Sequence, residues 1–246
     1  MPISLSETLV VLPAYNEEEA LGGVLAEIRE TLGDVTCLVV DDGSADRTSE
    51  VARAAGARVA TLPLNLGVGG AMRVGFKYAV ANGFRAVVQV DADGQHDPKS
   101  LPELVAGLDE ADIVIGARFA GSGDYEVSGP RKWAMKFLSV VIGRICKTKL
   151  TDTTSGFKAI GPRALNLFAR YYPAEYLGDT IEALVIAARA GCVVKQVPVS
   201  MRERAGGVPS HNPVKAAIYL ARAFVALTFA LVRPPVRLAN IERSAA

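Results

Sequence analysis

Three carboxylates, two amides and an imidazole crowd into Gln89-Val90-Asp91-Ala92-Asp93-Gly94-Gln95-His96-Asp97-Pro98. Asp91 and Asp93 are two positions apart, so in an extended segment they point the same way. Carboxylates that close repel unless a cation lies between them or one is protonated. A hard divalent ion is the simplest resolution. Mg2+ or Mn2+ takes a few carboxylate oxygens and fills its other positions with water and phosphate. Asp91 and Asp93 are therefore candidate metal ligands, and Gln95 can add a neutral oxygen. His96 is expected to support this group or cap a turn rather than ligate. The plain alternative is a solvated acidic turn at the end of a strand.

The elements around this stretch set its place. Arg85-Ala86-Val87-Val88 is an apolar run of strand type that leads into it, and Pro98 suits the first position of a helix. Upstream, Leu9-Val10-Val11-Leu12 is a strand ending at Pro13. Asn16 and Glu19 have the spacing of a capping box, and Leu21, Val24, Leu25, Ile28 and Leu32 mark the buried face of the helix that follows. Cys37-Leu38-Val39-Val40 is a second strand ending in Asp41-Asp42-Gly43-Ser44, with a helix from about residue 46 to 55. Val59-Ala60-Thr61-Leu62 is a third strand. Asn65-Leu66-Gly67-Val68-Gly69-Gly70 is read as a loop before a helix over about residues 71–81. Strands four and five are Val87 to Val90 and Ile113-Val114-Ile115. Downstream, a polar turn at Asp152 to Phe157 enters a short strand. A helix over 180–190 and a strand over 193–198 follow.

Apolar strands alternating with helices describe an α/β fold with a mainly parallel sheet covered on both faces. Each polar cluster follows a strand, where open α/β sheets bind ligands. Pro13 to Glu17, Asp41 to Ser44 and Asp91 to Gln95 would line one edge. Gly67-Val68-Gly69 lacks the third glycine of a dinucleotide fingerprint, since Met72 stands there, and no Gly-Lys-Ser/Thr occurs. NAD-linked and ATP-hydrolysing chemistry therefore loses weight. Carboxylates at Asp41 and Asp42 suit a nucleobase or ribose, and a metal at Asp91 and Asp93 suits a pyrophosphate. Together they describe a nucleotide sugar or a nucleoside triphosphate.

The totals agree. At 246 residues the chain is one large domain or a domain with an appendage. A net charge of +1 argues against bulk capture of nucleic acid. Cys37, Cys146 and Cys192 are far apart, as thiols in a reducing compartment are. Residues 1–7 carry no basic flank and apolar run of a secretory signal, so a cytosolic location or the cytosolic face of a membrane is expected. Residues 213–232 read as a helix of about bilayer length, interrupted on one face by Lys215 and Arg222 and followed by Arg233 and Arg237. Two cations are costly in a spanning helix. A helix lying on the membrane surface with its basic face to phosphates fits better; an ordinary buried terminal helix or an oligomer contact is the alternative.

Five motifs in register resemble the family 2 glycosyltransferases. They are Val11-Leu12-Pro13-Ala14-Tyr15-Asn16-Glu17, Val40-Asp41-Asp42-Gly43-Ser44, Asn65-x-Gly67-x-Gly69-Gly70-Ala71, Asp91 through Pro98, and Gly116-Ala117-Arg118. The branch is similar to the dolichol-phosphate mannose synthases and other polyprenyl-phosphate glycosyltransferases. Asp152-x-x-Ser155-Gly156-Phe157-Lys158-Ala159, Val197-Pro198-Val199 and Arg204-x-x-Gly207 extend the match to about residues 8–211.

The resemblance implies a GT-A fold, Rossmann-like, over residues 1–211, with residues 212–246 as an amphipathic C-terminal helix and tail. It implies an inverting transfer of a hexose from a GDP- or UDP-sugar to a polyprenyl phosphate at the inner face of the cell membrane. Pro13, Tyr15, Glu17 and Asp42 would contact the nucleoside, with Val40 alongside. Asp91, Asp93 and Gln95 would hold Mg2+ or Mn2+, with Asp93 counted among the catalytic groups, and Ala92 would touch the donor. Arg118 and Arg131 resemble the family's phosphate-facing arginines and Glu182 matches a family acidic position; these three are counted with Asp93 as catalytic. Arg204 is counted among the donor-binding residues, and it could also join Arg118 and Arg131 in positioning an acceptor anion. A lipid phosphate is already anionic at neutral pH and needs no strong base; a hydroxyl acceptor would need one, with Asp152, Asp179 or Glu182 as candidates. A non-catalytic nucleotide-sugar sensor is the reading from another class, and a nucleotidyltransferase is more distant. The loop Gly206-Gly207-Val208-Pro209-Ser210-His211 departs from the branch's Gly-x-Ser-Lys, since the lysine is missing.

Overall fold

The computed structural model describes residues 2–118, 139–153, 155–173 and 178–202, together with Leu227, Thr228 and Val232. Among these residues, seven strands form one sheet in the order β3-β2-β1-β4-β6-β5-β7. They are β1 (Thr8–Ala14), β2 (Thr36–Asp41), β3 (Arg58–Thr61), β4 (Ala86–Gln89), β5 (Ile113–Arg118), β6 (Lys158–Ile160) and β7 (Val194–Val199). All neighbours pair in parallel except β6, which runs antiparallel to both β4 and β5.

Alternation along each strand divides the core between two layers. Leu9, Val11, Leu38 and Val40 face one apolar cluster, and Val10, Leu12 and Val39 face the other. The second layer holds α1 (Leu21–Leu32), α2 (Thr48–Ala54) and α4 (Leu101–Ala106), through Leu21, Leu25, Ile28, Ala52, Leu101 and Leu104. The first holds α3 (Gly67–Ala81), α5 (residues 139–146), α6 (Pro162–Tyr171) and α7 (Gly178–Arg189). There Phe76 meets Phe168 and Tyr172 at ring-centroid distances of 5.5 and 4.9 Å. Helices on both faces explain why the strands are apolar throughout.

Strands β1, β2 and β3 step outward in one direction, and β4 returns to the other side of β1. The crevice between β1 and β4 is thus a topological switch point, where α/β sheets bind ligands.

Two local expectations are corrected. Asn16 does not cap a helix: it has φ 55° and the next helix begins at Leu21. The glycine-rich run is not a loop but the first turns of α3, which starts at Gly67. Gly75 permits close packing there, since a Cβ on it would lie 2.6 Å from Val11 Cγ1.

Candidate active site

Strands β1, β2, β4, β5 and β7 end at one edge of the sheet, and the antiparallel β6 begins there. The first two loops on that edge are stitched together. Asn16 N–H donates to Ser44 Oγ at 2.9 Å, and Ala45 N–H donates to Asn16 Oδ1 at 2.9 Å. Glu17 N–H donates to Thr48 Oγ1 at 2.9 Å, and Glu18 N–H to Asp46 Oδ2 at 3.1 Å. Asn16 is left-handed because this places its backbone and amide against the second loop, a conformation asparagine tolerates.

Asp41, the last residue of β2, and Asp42, the residue after it, do different work. Asp41 accepts from Ser44 N–H at 2.9 Å and from the Ser49 hydroxyl. Burial pushes its carboxyl up, but these hydrogen bonds outweigh that and hold it below the usual range. Asp42 accepts from Leu66 N–H and Gly67 N–H, both at 2.7 Å. It therefore caps α3 from another strand, satisfying donors that a helix start leaves open. Burial raises its carboxyl above the usual range despite those two bonds, and the charge on Asp41 adds to the rise.

The metal-candidate loop leaves β4 directly. Val90 N–H donates to Val11 O at 3.0 Å, extending the pairing with β1 by one residue. Asp91 follows, with its side chain 38% exposed. Its N–H donates to His96 Nδ1 at 3.0 Å. In the neutral ring the proton is then on Nε2, which lies 3.6 Å from Asp91 Oδ2. His96 is buried and stacks on Phe157, with centroids 4.6 Å apart and planes at 10°. Asp93 is nearly buried, and its Oδ1 accepts Gln95 N–H at 3.1 Å across a turn completed by Gly94 at φ 77°.

The turn before β6 forms the floor. Ser155 Oγ donates to Gly116 O at 2.6 Å and accepts from Phe157 N–H at 3.2 Å, fixing the turn to β5. This places Gly156 against Asp91, where a Cβ would lie 2.9 Å from both carboxylate oxygens. Nothing larger than glycine leaves that carboxylate in place. The Ser155-Gly156-Phe157 motif carried no assigned role from its sequence. The signal was a glycine between a hydroxyl and an aromatic just before a strand.

Pro13 is half-buried, Glu17 is half-buried, and Tyr15 stands 48% exposed on the same edge. Val40, expected beside a nucleoside, is fully buried, so its side chain offers no surface to a ligand. Ala92 likewise turns its methyl into the core at 3% exposure, leaving its backbone toward the loop. Asp42, expected at the nucleoside, has its carboxylate engaged by the start of α3. Arg118 ends β5 at the edge, opposite Val199. Glu182 is half-buried in α7. That helix feeds β7 and runs opposite to it, so the first turns of α7 lie toward the site edge. Arg131, Arg204 and the expected helix over 213–232 lie outside the described residues, apart from Leu227, Thr228 and Val232.

Among the described residues, no three His, Cys, Asp or Glu side chains gather around one point as a metal cluster. The donors present suit an ion that takes few protein ligands. Asp91 offers an open carboxylate, and Asp93 and Gln95 follow on the same short loop, all hard oxygen groups. Mg2+ and Mn2+ are held this way, by one or two carboxylates with phosphate and water completing the shell. Among the described residues, no helix is long and apolar enough to cross a membrane.

Comparison with known proteins bears on these observations. The family model described as glycosyl transferase family 2 matches residues 9–168. The undecaprenyl-phosphate mannosyltransferase of Micrococcus luteus is 34% identical over 210 residues, 80% of this chain and 84% of that protein. The polyprenol monophosphomannose synthase of Mycolicibacterium smegmatis is 30% identical over 223 residues, 82% of this chain and 79% of that one. Among solved structures, the glucosyl-3-phosphoglycerate synthase of Mycobacterium tuberculosis, in complex with Mn2+, UDP and glucosyl-3-phosphoglycerate, superposes with a TM-score of 0.71. It is 24% identical and aligns over 92% of this chain and 80% of its own. That likeness shows the GT-A fold.

Proposed function

The chain belongs to glycosyl transferase family 2, and from that premise we propose that it moves a hexose from a GDP- or UDP-sugar to a polyprenyl phosphate, with inversion at the anomeric carbon. The observation that carries the proposal is Asp91, open to solvent and seated on Gly156 at the switch-point edge. Similarity to the undecaprenyl-phosphate mannosyltransferase over most of both chains supports the lipid-phosphate acceptor.

The chemistry is a single displacement. An anionic oxygen of the acceptor phosphate attacks the anomeric carbon. The bond from that carbon to the diphosphate oxygen breaks as the new carbon–oxygen bond forms, and the nucleoside diphosphate leaves with the electron pair. The nucleophile is already charged, so no proton need be removed. Asp91, Asp93 and Gln95 would hold Mg2+ or Mn2+, which when bound offsets charge on the departing diphosphate. Tyr15, Pro13 and Glu17 would receive the nucleoside. Asp42 holds the start of α3 beside them. Arg118, Arg131 and Arg204 would orient the acceptor anion through charge-assisted hydrogen bonds, with Glu182 near the acceptor. Residues 212–246 would rest on the inner face of the membrane or join copies of the chain, with residues 1–211 as the catalytic domain.

The test is transfer of radiolabelled sugar from UDP-glucose, UDP-N-acetylglucosamine or GDP-mannose in the presence of Mn2+ and vesicles carrying undecaprenyl phosphate. Label that enters organic solvent and is released by mild acid is the expected result. Label found only in water-soluble product would favour a hydroxyl acceptor. Nucleotide binding without turnover would favour a sensor.

A further inference from the structure

The metal-candidate loop is braced on its outer side by Met201 and Arg202, which follow β7. Arg202 N–H donates to Gln95 O at 2.9 Å, and a single antiparallel bridge joins His96 to Met201. The Arg202 side chain then reaches in two directions. Nη1 donates to both carboxylate oxygens of Glu27 on α1, at 2.6 and 2.8 Å. Nη2 lies 3.1 Å from Asp97 Oδ1, the same oxygen that accepts Lys99 N–H at 3.0 Å and caps the turn into α4. Glu27, Asp97 and the backbone of Gln95 are thus joined through one guanidinium and its own amide. The Glu27 hydrogen bond raises the Arg202 pKa further, so the charge is permanent.

We infer that Arg202 is a positioning residue for the divalent-metal site, holding Gln95 and the Asp91–Asp93 turn against α1. The inference rests on the metal reading of this loop. An isolated exposed ion pair contributes little. Here, however, a planar fork bridges two carboxylates while the backbone of the same residue pins the loop, and the guanidinium geometry favours such bridging over a lysine. From the inside the loop is held by His96 and Gly156. From the outside Arg202 fixes the loop in the direction that Gln95 needs. Groups that orient metal ligands without touching the ion typically contribute about 10- to 100-fold in metal affinity.

The Arg85–Glu7 pair provides a built-in control. It has similar exposure, 39% and 37%, and lies at the starts of β4 and β1, at the opposite edge of the sheet. The experiment is a Mn2+ titration of the full chain with saturating UDP or GDP, reading free Mn2+ by electron paramagnetic resonance. Arg202→Ala and Glu27→Gln should each weaken Mn2+ binding about tenfold, and Arg202→Lys should recover only part of the loss. Arg85→Ala should bind Mn2+ as the unaltered chain does. Melting temperatures without metal should separate lost folding from lost positioning. If Arg202→Ala fails to fold, Glu27→Gln carries the test from the other side of the pair. Equal Mn2+ affinity in the unaltered chain and the folded variants would overturn the inference alone. Absence of Mn2+ uptake by the unaltered chain would overturn the metal reading and the inference with it.

Discussion

Gly156 lies directly against the Asp91 carboxylate, so close that a Cβ would stand 2.9 Å from both of its oxygens. The obstructed atoms are the far end of a side chain, so Gly156→Ala should displace Asp91 rather than break the sheet. Metal-dependent turnover should fall at least about tenfold, as when the surroundings of a ligand are disturbed. The melting temperature should fall modestly. Steady-state rates at graded Mn2+ concentrations check this, and unchanged rates would mean that Asp91 has room to spare.

His96 holds Asp91 from the backbone side, since Nδ1 accepts the Asp91 N–H. His96→Phe keeps a ring to stack on Phe157 but leaves that amide without its acceptor. The bond is part-buried, so leaving that donor unsatisfied should cost about 1 kcal/mol, the low end of the range for buried groups. Urea denaturation should show a loss of that size, and turnover should fall with it. Equal stability would show that water or a neighbour takes over the amide.

Asp42 reaches from the end of β2 to the start of α3. Asp42→Ala removes the acceptor for two helix-start amides and should cost about 1 kcal/mol, within the usual range for a lost N-cap. Because α3 packs beneath β1 and β2, the loss should appear in the cooperative unfolding transition. No change in the urea midpoint would contradict the capping role.

Glu7 should set part of the acid stability. The Ser4 backbone N–H, followed by the Arg85 guanidinium, lowers its carboxyl from 4.5 to about 2. A carboxyl lowered by folding stabilises above its unfolded value, and that contribution fades as pH falls from 4.5 toward 2. Glu7→Gln should therefore flatten the decline in stability across that window and change the slope little at neutral pH. Melting temperatures from pH 2 to 7 check the difference.

The alternation of apolar strands and helices was enough to place the polar clusters on one edge, because a strand buried on both faces has a plain signature. What lay hidden depended on contacts between distant segments. Asn16 has the residue type and spacing of a helix cap, yet its backbone N–H is taken by Ser44 and its side-chain amide oxygen by Ala45 on the next loop. The glycines from Gly67 onward look like a loop, yet Asp42 starts a helix there and Val11 packs where Gly75 has no side chain. The direction of β6 was also hidden, since three residues carry no sign of whether a strand runs with or against its neighbours. Asp91 and Asp93 were visible as a pair. Gly156 beneath one of them and Arg202 behind their loop became visible only in the fold.

The most direct measurement is anomalous scattering from crystals soaked with Mn2+ and a nucleoside diphosphate. The proposed site requires a Mn2+ peak bridging the Asp91–Asp93 loop and the diphosphate, at the mouth of β4. A diphosphate bound elsewhere, with no metal at Asp91 or Asp93, would contradict it.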